Sequence, residues 1–157
     1  MALIRVVKDF EDMLTMLNKN DVQYLIVGGM AYIFHAKPRY TKDIDIWINP
    51  EKCNVERANK ALAEYGSPFL ITQERRSQVV QIGVAPNRID LILDIEGLTF
   101  DKAWKQKIGG RYGRQDANWI DIDSLISIKS RIKSPRHQDD ARVLKEVRNR
   151  KRAKKKS

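Results

Sequence analysis

The stretch DIDIWI, residues 43–48, does most to limit what this chain can fold into. Strict polar–apolar alternation marks a strand with one buried face, because successive side chains point to opposite sides. Ile44, Ile46 and Ile48 take one face, and Asp43, Asp45 and Trp47 take the other. Aspartate is disfavoured in strands, so two on one face require solvent or a cation. Taken alone, the pair is explained more simply by a wet edge strand than by a divalent ion shared between carboxylates.

The neighbouring segments shift that balance. QYLIV (23–27) is a short apolar strand closed by Gly28 and Gly29, and MAYIFHA continues as a helix ended by Pro38. Glycines there let backbone approach a ligand and leave free N–H groups at a helix start, which suits an anion. Alone the feature is weak, since no GK[ST] follows to make a P-loop. Further on, RIDLIL places Asp90 on the strand face of Arg88, Ile92 and Asp94. Two carboxylates from one strand and one from a neighbour form an open cage of hard oxygens. Such a cage suits Mg²⁺ or Mn²⁺, and two such ions clamp an in-line displacement at phosphorus. A second D-x-D, Asp121 and Asp123, immediately precedes the apolar helical run SLISIK, so Asp123 reads as a helix cap and the pair as structural.

The remaining pattern predicts an amphipathic helix over 5–18, a helix after Pro50 stopped by Gly66, and strands in QVVQIGV and RIDLILDI joined as a hairpin through APN. A short helix over 100–107, weak strands over 109–115 and 118–121, and helices over 124–132 and about 138–147 follow. This order indicates an α/β or α+β domain around a mixed sheet. The reading is one domain over 1–147, with a core at about 22–96 and C-terminal helices at about 124–147.

Charge is unevenly distributed. The net charge is +10, but residues 143–157 hold eight Lys or Arg and one Glu, a local +7 that leaves +3 for the rest. Residues 148–157 therefore read as a disordered basic tail, suited to polyanions through counterion release. No apolar run is long enough for a membrane span, and the first residues lack a secretory apolar core. The single cysteine, Cys53, excludes an internal disulfide and a CxxC zinc site. A cytoplasmic protein is the simplest expectation.

Gly28–Gly29, then Arg39-x-Thr41-x-Asp43-x-Asp45, then Asp90 in an apolar strand resembles the minimal nucleotidyltransferase fold, most nearly its AbiEii-like toxin group. The resemblance covers roughly residues 5–147, and LISIKSRIKSPRHQDDARVL is similar to the family's C-terminal lysine-bearing helical element. It implies that Gly28 and Gly29 cradle a triphosphate and that Asp43 and Asp45 ligate Mg²⁺. Asp90 would ligate a second ion and help deprotonate the attacking hydroxyl. Arg39 and Thr41 would steady the loop or the phosphates, and Lys129 would lie near the nucleotide with Asp139 or Asp140 as partner. The implied reaction is nucleotidyl transfer from an NTP to RNA, with a tRNA 3′ end favoured, or to a protein or small-molecule hydroxyl. An antitoxin partner is compatible with it. Two rival readings are a catalytically silent module of the same fold that binds RNA or protein, and a basic RNA-binding protein with structural aspartates. His35, His137, Trp47 and the scattered arginines 75, 76, 111 and 114 are better explained by packing or solvation than by chemistry.

Overall fold

The computed structural model describes residues 4–83 and 86–156. The elements run, in chain order, α1 (Lys8–Lys19), β1 (Tyr24–Val27), α2 (Gly28–His35), β2 (Asp43–Ile48), α3 (Lys52–Tyr65), β3 (Val80–Ile82), β4 (Arg88–Ile92), α4 (Phe100–Lys105), β5 (Ile108–Tyr112), β6 (Gln115–Trp119), α5 (Ile122–Arg131) and α6 (Pro135–Lys156). A single 3₁₀ turn, Gln73–Arg75, precedes β3.

Six strands form one mixed sheet in the order β3-β4-β2-β1-β6-β5. β1 runs antiparallel to β2 and parallel to β6, and β2 runs parallel to β4. The outer pairs β3–β4 and β5–β6 are antiparallel. Every residue of β1 is buried, as a near-continuous apolar run in a central strand requires. In β2 the alternation survives as far as Ile46, with Ile44 and Ile46 wholly buried and Asp43 and Asp45 partly buried, while Trp47 is buried as well. Helices flank the sheet in two groups, α1 packing on α3 and α2 on α5 and α6. A mixed sheet flanked by helices is the expected fold class.

Several boundaries differ from expectation. The glycine pair does not merely precede α2 but begins it. Only Val80–Ile82 of the first hairpin strand pairs with β4, and Val84 and Ala85 of the expected turn lie outside the described residues. The last hairpin turns at Gly113, which has φ +59°, not after Gln115. Gly109 and Gly110 belong to β5, as expected, and there a side chain on Gly110 would press on the Trp119 ring at 3.1 Å. The basic segment beyond residue 147 is helical rather than a disordered tail, since α6 continues to Lys156. Pro135 opens α6 at the position where a proline's missing N–H costs nothing.

The second D-x-D is structural, with the roles shifted. Asp121, not Asp123, caps α5, its carboxylate accepting from the Ser124 N–H at 3.0 Å. Asp123 accepts from Arg148 and Arg152, both at 3.1 Å, and so fixes the rotation of α6. Chemical denaturation checks this division. Asp121→Ala should lower stability by about 1–2 kcal/mol through the lost cap, and Asp123→Ala by only about 0.5 kcal/mol because its ion pairs are exposed.

Candidate active site

Chain direction gathers the predicted residues at one corner of the sheet. Because β1 is antiparallel to β2, the end of β1 lies beside the start of β2, and Val27 pairs with Asp45. Because β2 is parallel to β4, the two strands start together, and Asp43 faces Arg88 while Asp45 faces Asp90. Asp43, Asp45, Asp90, Gly28, Gly29, Arg39 and Thr41 thus converge. Lys129 reaches the same region from α5, and its charge acts on Asp45.

The Asp45 carboxyl is pushed up to about 7. Burial is the main cause, followed by the charge and hydrogen bond of Asp90 and the charge of Asp43, while Lys129 opposes them. Two carboxylates held side by side cannot both ionise cheaply, which favours the protonated form of Asp45.

Gly28 shares this corner. Its φ is +67°, and a Cβ there would run into the Asp45 carboxylate, whose Cγ would lie 2.9 Å away. Both the backbone and the neighbour therefore demand glycine. No side chain caps α2, which leaves its first N–H groups for a ligand. A Cβ on Gly29 would sit 3.3 Å from Thr41 Oγ1, so the threonine hydroxyl fills the space that a serine at position 29 would need. In this structure that hydroxyl donates to the Asp43 carbonyl at 3.3 Å.

Arg39 and Lys129 are present but engaged. Asp140 accepts two bonds from the Arg39 fork, at 2.7 and 3.0 Å, and a third from Lys129 Nζ at 2.9 Å. Burial would raise the Asp140 carboxyl, but these two cations outweigh it and hold the group below its ordinary range. Lys129 is held below the ordinary lysine value by burial first, with the charges of Arg39 and Arg136 adding to it and Asp140 opposing them. Of the two candidate partners, Asp140 is the one that meets Lys129; Asp139 is exposed and pairs with Arg142 at 2.8 Å. Next to the carboxylates, Gly28, Asp45, Ile92, Ile128, Lys129 and Ile132 line a cavity of about 360 Å³. Its polar side meets the acids and its apolar side suits a flat organic group.

Sequence reading missed Arg88. Its Nε donates to Asp90 at 2.8 Å, and its Nη2 donates to Asp90 at 3.2 Å and to Asp43 at 3.3 Å. A signal was present, since Arg88 lies two residues before Asp90 on the same strand face. His137, read as solvated, stands 3.4 Å from Lys129 Nζ. His35 is a packing residue, its Nε2 donating to the Ile120 carbonyl at 2.6 Å. Trp47 is buried and donates to the Leu93 carbonyl at 3.0 Å, so it does not stack on a ligand.

Among the described residues, no three His, Cys, Asp or Glu side chains are placed to hold a metal as they stand. The donor set still fits one. Three hard-oxygen side chains adjoin, burial and the neighbouring acids raise the carboxyl of one of them, and an exposed guanidinium bridges the other two.

No family model matches the chain, and no curated protein matches it in sequence. Solved structures match in fold. The lincosamide antibiotic adenylyltransferase LnuA, lincomycin-bound, aligns with a TM-score of 0.62 at 15% identity, over 91% of this chain and 99% of that one. The fold is that of the nucleotidyltransferases. A Thermotoga maritima protein described as a nucleotidyltransferase aligns at 0.57 and 12% identity, over 94% of this chain and 92% of its own. ANT(2″)-Ia in complex with adenylyl-2″-tobramycin aligns at 0.54 and 12% identity, over 92% and 95%.

Two outcomes follow from the geometry. The Asp45 carboxyl is raised in the folded chain, so its contribution to stability is full below the ordinary carboxylate value and is lost as pH rises through about 7. Between about pH 5 and about pH 8, urea unfolding should show the wild type losing on the order of 1 kcal/mol more than Asp45→Asn, after discounting for partial exposure. Gly28→Ala should cost about 1–3 kcal/mol and more than Gly66→Ala, since a Cβ at Gly66 meets nothing within 4 Å. Thermal denaturation of the two variants compares them directly.

Proposed function

We propose that the protein is a divalent-metal-dependent nucleotidyltransferase that moves a nucleoside monophosphate from an NTP to an acceptor hydroxyl. The observation that carries this reading is the register of β2 and β4, which sets Asp45 beside Asp90 and within reach of Gly28. The nucleotidyltransferase fold supports it. Asp43, Asp45 and Asp90 would hold Mg²⁺ or Mn²⁺, which supplies neutralisation of the charge developing on the phosphates.

The chain's own groups account for the rest. The uncapped N–H groups of Gly28 and Gly29 bind the triphosphate oxygens at the positive end of α2. Thr41 adds a hydroxyl donor beside Gly29. The apolar wall of Ile92, Ile128 and Ile132 receives the nucleoside, while Arg39 and Lys129, joined through Asp140, set a positive border to the acidic corner. Asp90 accepts the proton of the acceptor hydroxyl as its oxygen attacks the α-phosphorus. The bond from that phosphorus to the β-phosphate bridging oxygen breaks, and pyrophosphate leaves with its electron pair.

The acceptor we favour is RNA, with a tRNA 3′ end first, because Arg150 and Lys151 are exposed on a basic helix joined to the same body. That acceptor suits a toxin of the AbiEii-like group, with an antitoxin protein as partner. A second reading takes a small-molecule hydroxyl as acceptor. It is favoured by the lincomycin bound to LnuA and the adenylyl-tobramycin bound to ANT(2″)-Ia. A silent module that only binds RNA or protein is the rival from another class.

Label transfer separates these readings. With each α-labelled NTP and Mg²⁺, the wild type should label RNA. Asp43→Asn and Asp45→Asn should slow transfer at least about a hundredfold, the scale of losing a transition-state charge partner. Label on lincosamide- or aminoglycoside-type alcohols, and none on RNA, would replace the acceptor. Failure to bind any NTP with Mg²⁺ would leave the silent module.

A further inference from the structure

We propose that Arg88 is the resident counter-cation of the carboxylate site, which a divalent ion must displace, so that metal affinity is set by a competition inside the protein. The inference rests on the proposed function and adds a residue to it.

The parallel register of β2 and β4 places Arg88 opposite Asp43 and on the same face as Asp90. Its planar fork spans both acids through three N–H···O contacts. A guanidinium is suited to this bridging, because its donors diverge in one plane and its charge is permanent. Among the described residues, the Arg88 side chain has no hydrogen-bond or ion-pair partner other than Asp43 and Asp90. The oxygens it occupies belong to two of the three candidate metal ligands. A divalent ion and a guanidinium compete for them, since each presents positive charge to the same small set of oxygens.

The other two cations of the site cannot play this part. Lys129 and Arg39 are committed to Asp140, and the Lys129–Asp140 pair is buried, with each side chain 4% exposed. Arg88 is different, with its side chain 40% exposed. It can swing into solvent without opening a cavity, and water then satisfies its donors. Release of Arg88 removes the one cation that, among the described residues, pairs with Asp43 and Asp90, and leaves the acids to the metal.

The opposite reading makes Arg88 a staple that orders the acids for the metal. The two readings differ in sign. Competition predicts tighter metal binding when Arg88 is removed, and a staple predicts weaker binding.

The test is titration of the full chain with Mn²⁺ alone, free Mn²⁺ being read by electron paramagnetic resonance, with circular dichroism to check folding. Arg88→Ala should bind Mn²⁺ roughly threefold to tenfold tighter than the wild type, the range for removing a partly exposed charged competitor. Arg88→Lys, with a single point charge in place of the fork, should fall between them, and it keeps the test decisive should the alanine variant fold poorly. Unchanged or weaker binding in folded Arg88 variants, with wild type still binding Mn²⁺ and NTP together, would overturn the competition and leave nucleotidyl transfer standing. Absence of Mn²⁺ binding in every form, with or without NTP, would overturn both.

Discussion

Three carboxylates meet at one corner of the sheet, and their negative charge has to be answered there. Two like charges about 4 Å apart repel by about 4 kcal/mol in a protein-surface environment. The strands cannot relax this by sliding, since backbone pairing holds Asp45 opposite Asp90 over the whole length of β4. The structure answers in three ways: a raised affinity of Asp45 for its proton, the Arg88 guanidinium across Asp43 and Asp90, and a glycine where any side chain would crowd the acid. Much of the local anatomy follows from that one requirement.

A positive counterpart lies alongside. Asp140 gathers Arg39 from the loop before β2 and Lys129 from α5, and is itself carried by α6. One buried carboxylate thereby joins α5 and α6 to a loop 101 residues earlier in the chain. Buried ion pairs are poor sources of net stability but good sources of specificity, because any other arrangement leaves a charge unpaired. The network has one carboxylate for two cations, and the excess charge tempers the acidity problem at Asp45.

Much of this was legible in the residues. Alternation in DIDIWI set the strand and put its two acids on one face, and the run QYLIV read as a short apolar strand, which the sheet order makes central. The acids of β2 and β4 were assigned to one site, and the register brings them together. What escaped was tertiary in origin. Arg88 looked like any strand arginine until Asp43 arrived from another strand. Whether Asp139 or Asp140 meets Lys129 depends on the rotation of α6, which Asp123 fixes through Arg148 and Arg152. The extent of α6 was misjudged because like charges suggest fraying. Arg148 and Arg152 there are anchored to Asp123, and positive charge suits a helix C-terminus.

The alternation in β2 also protects the protein against its own errors. If β2 slipped by one residue against β1 and β4, each isoleucine would turn outward and each aspartate inward. The core would then lose Ile44, Ile46 and Ile48 and receive two unpaired carboxylates, an arrangement too unstable to persist. Correct folding and a correctly assembled acidic corner are therefore one event. The strand proofreads the site, and a stable but mis-registered molecule is not among the states this chain can occupy.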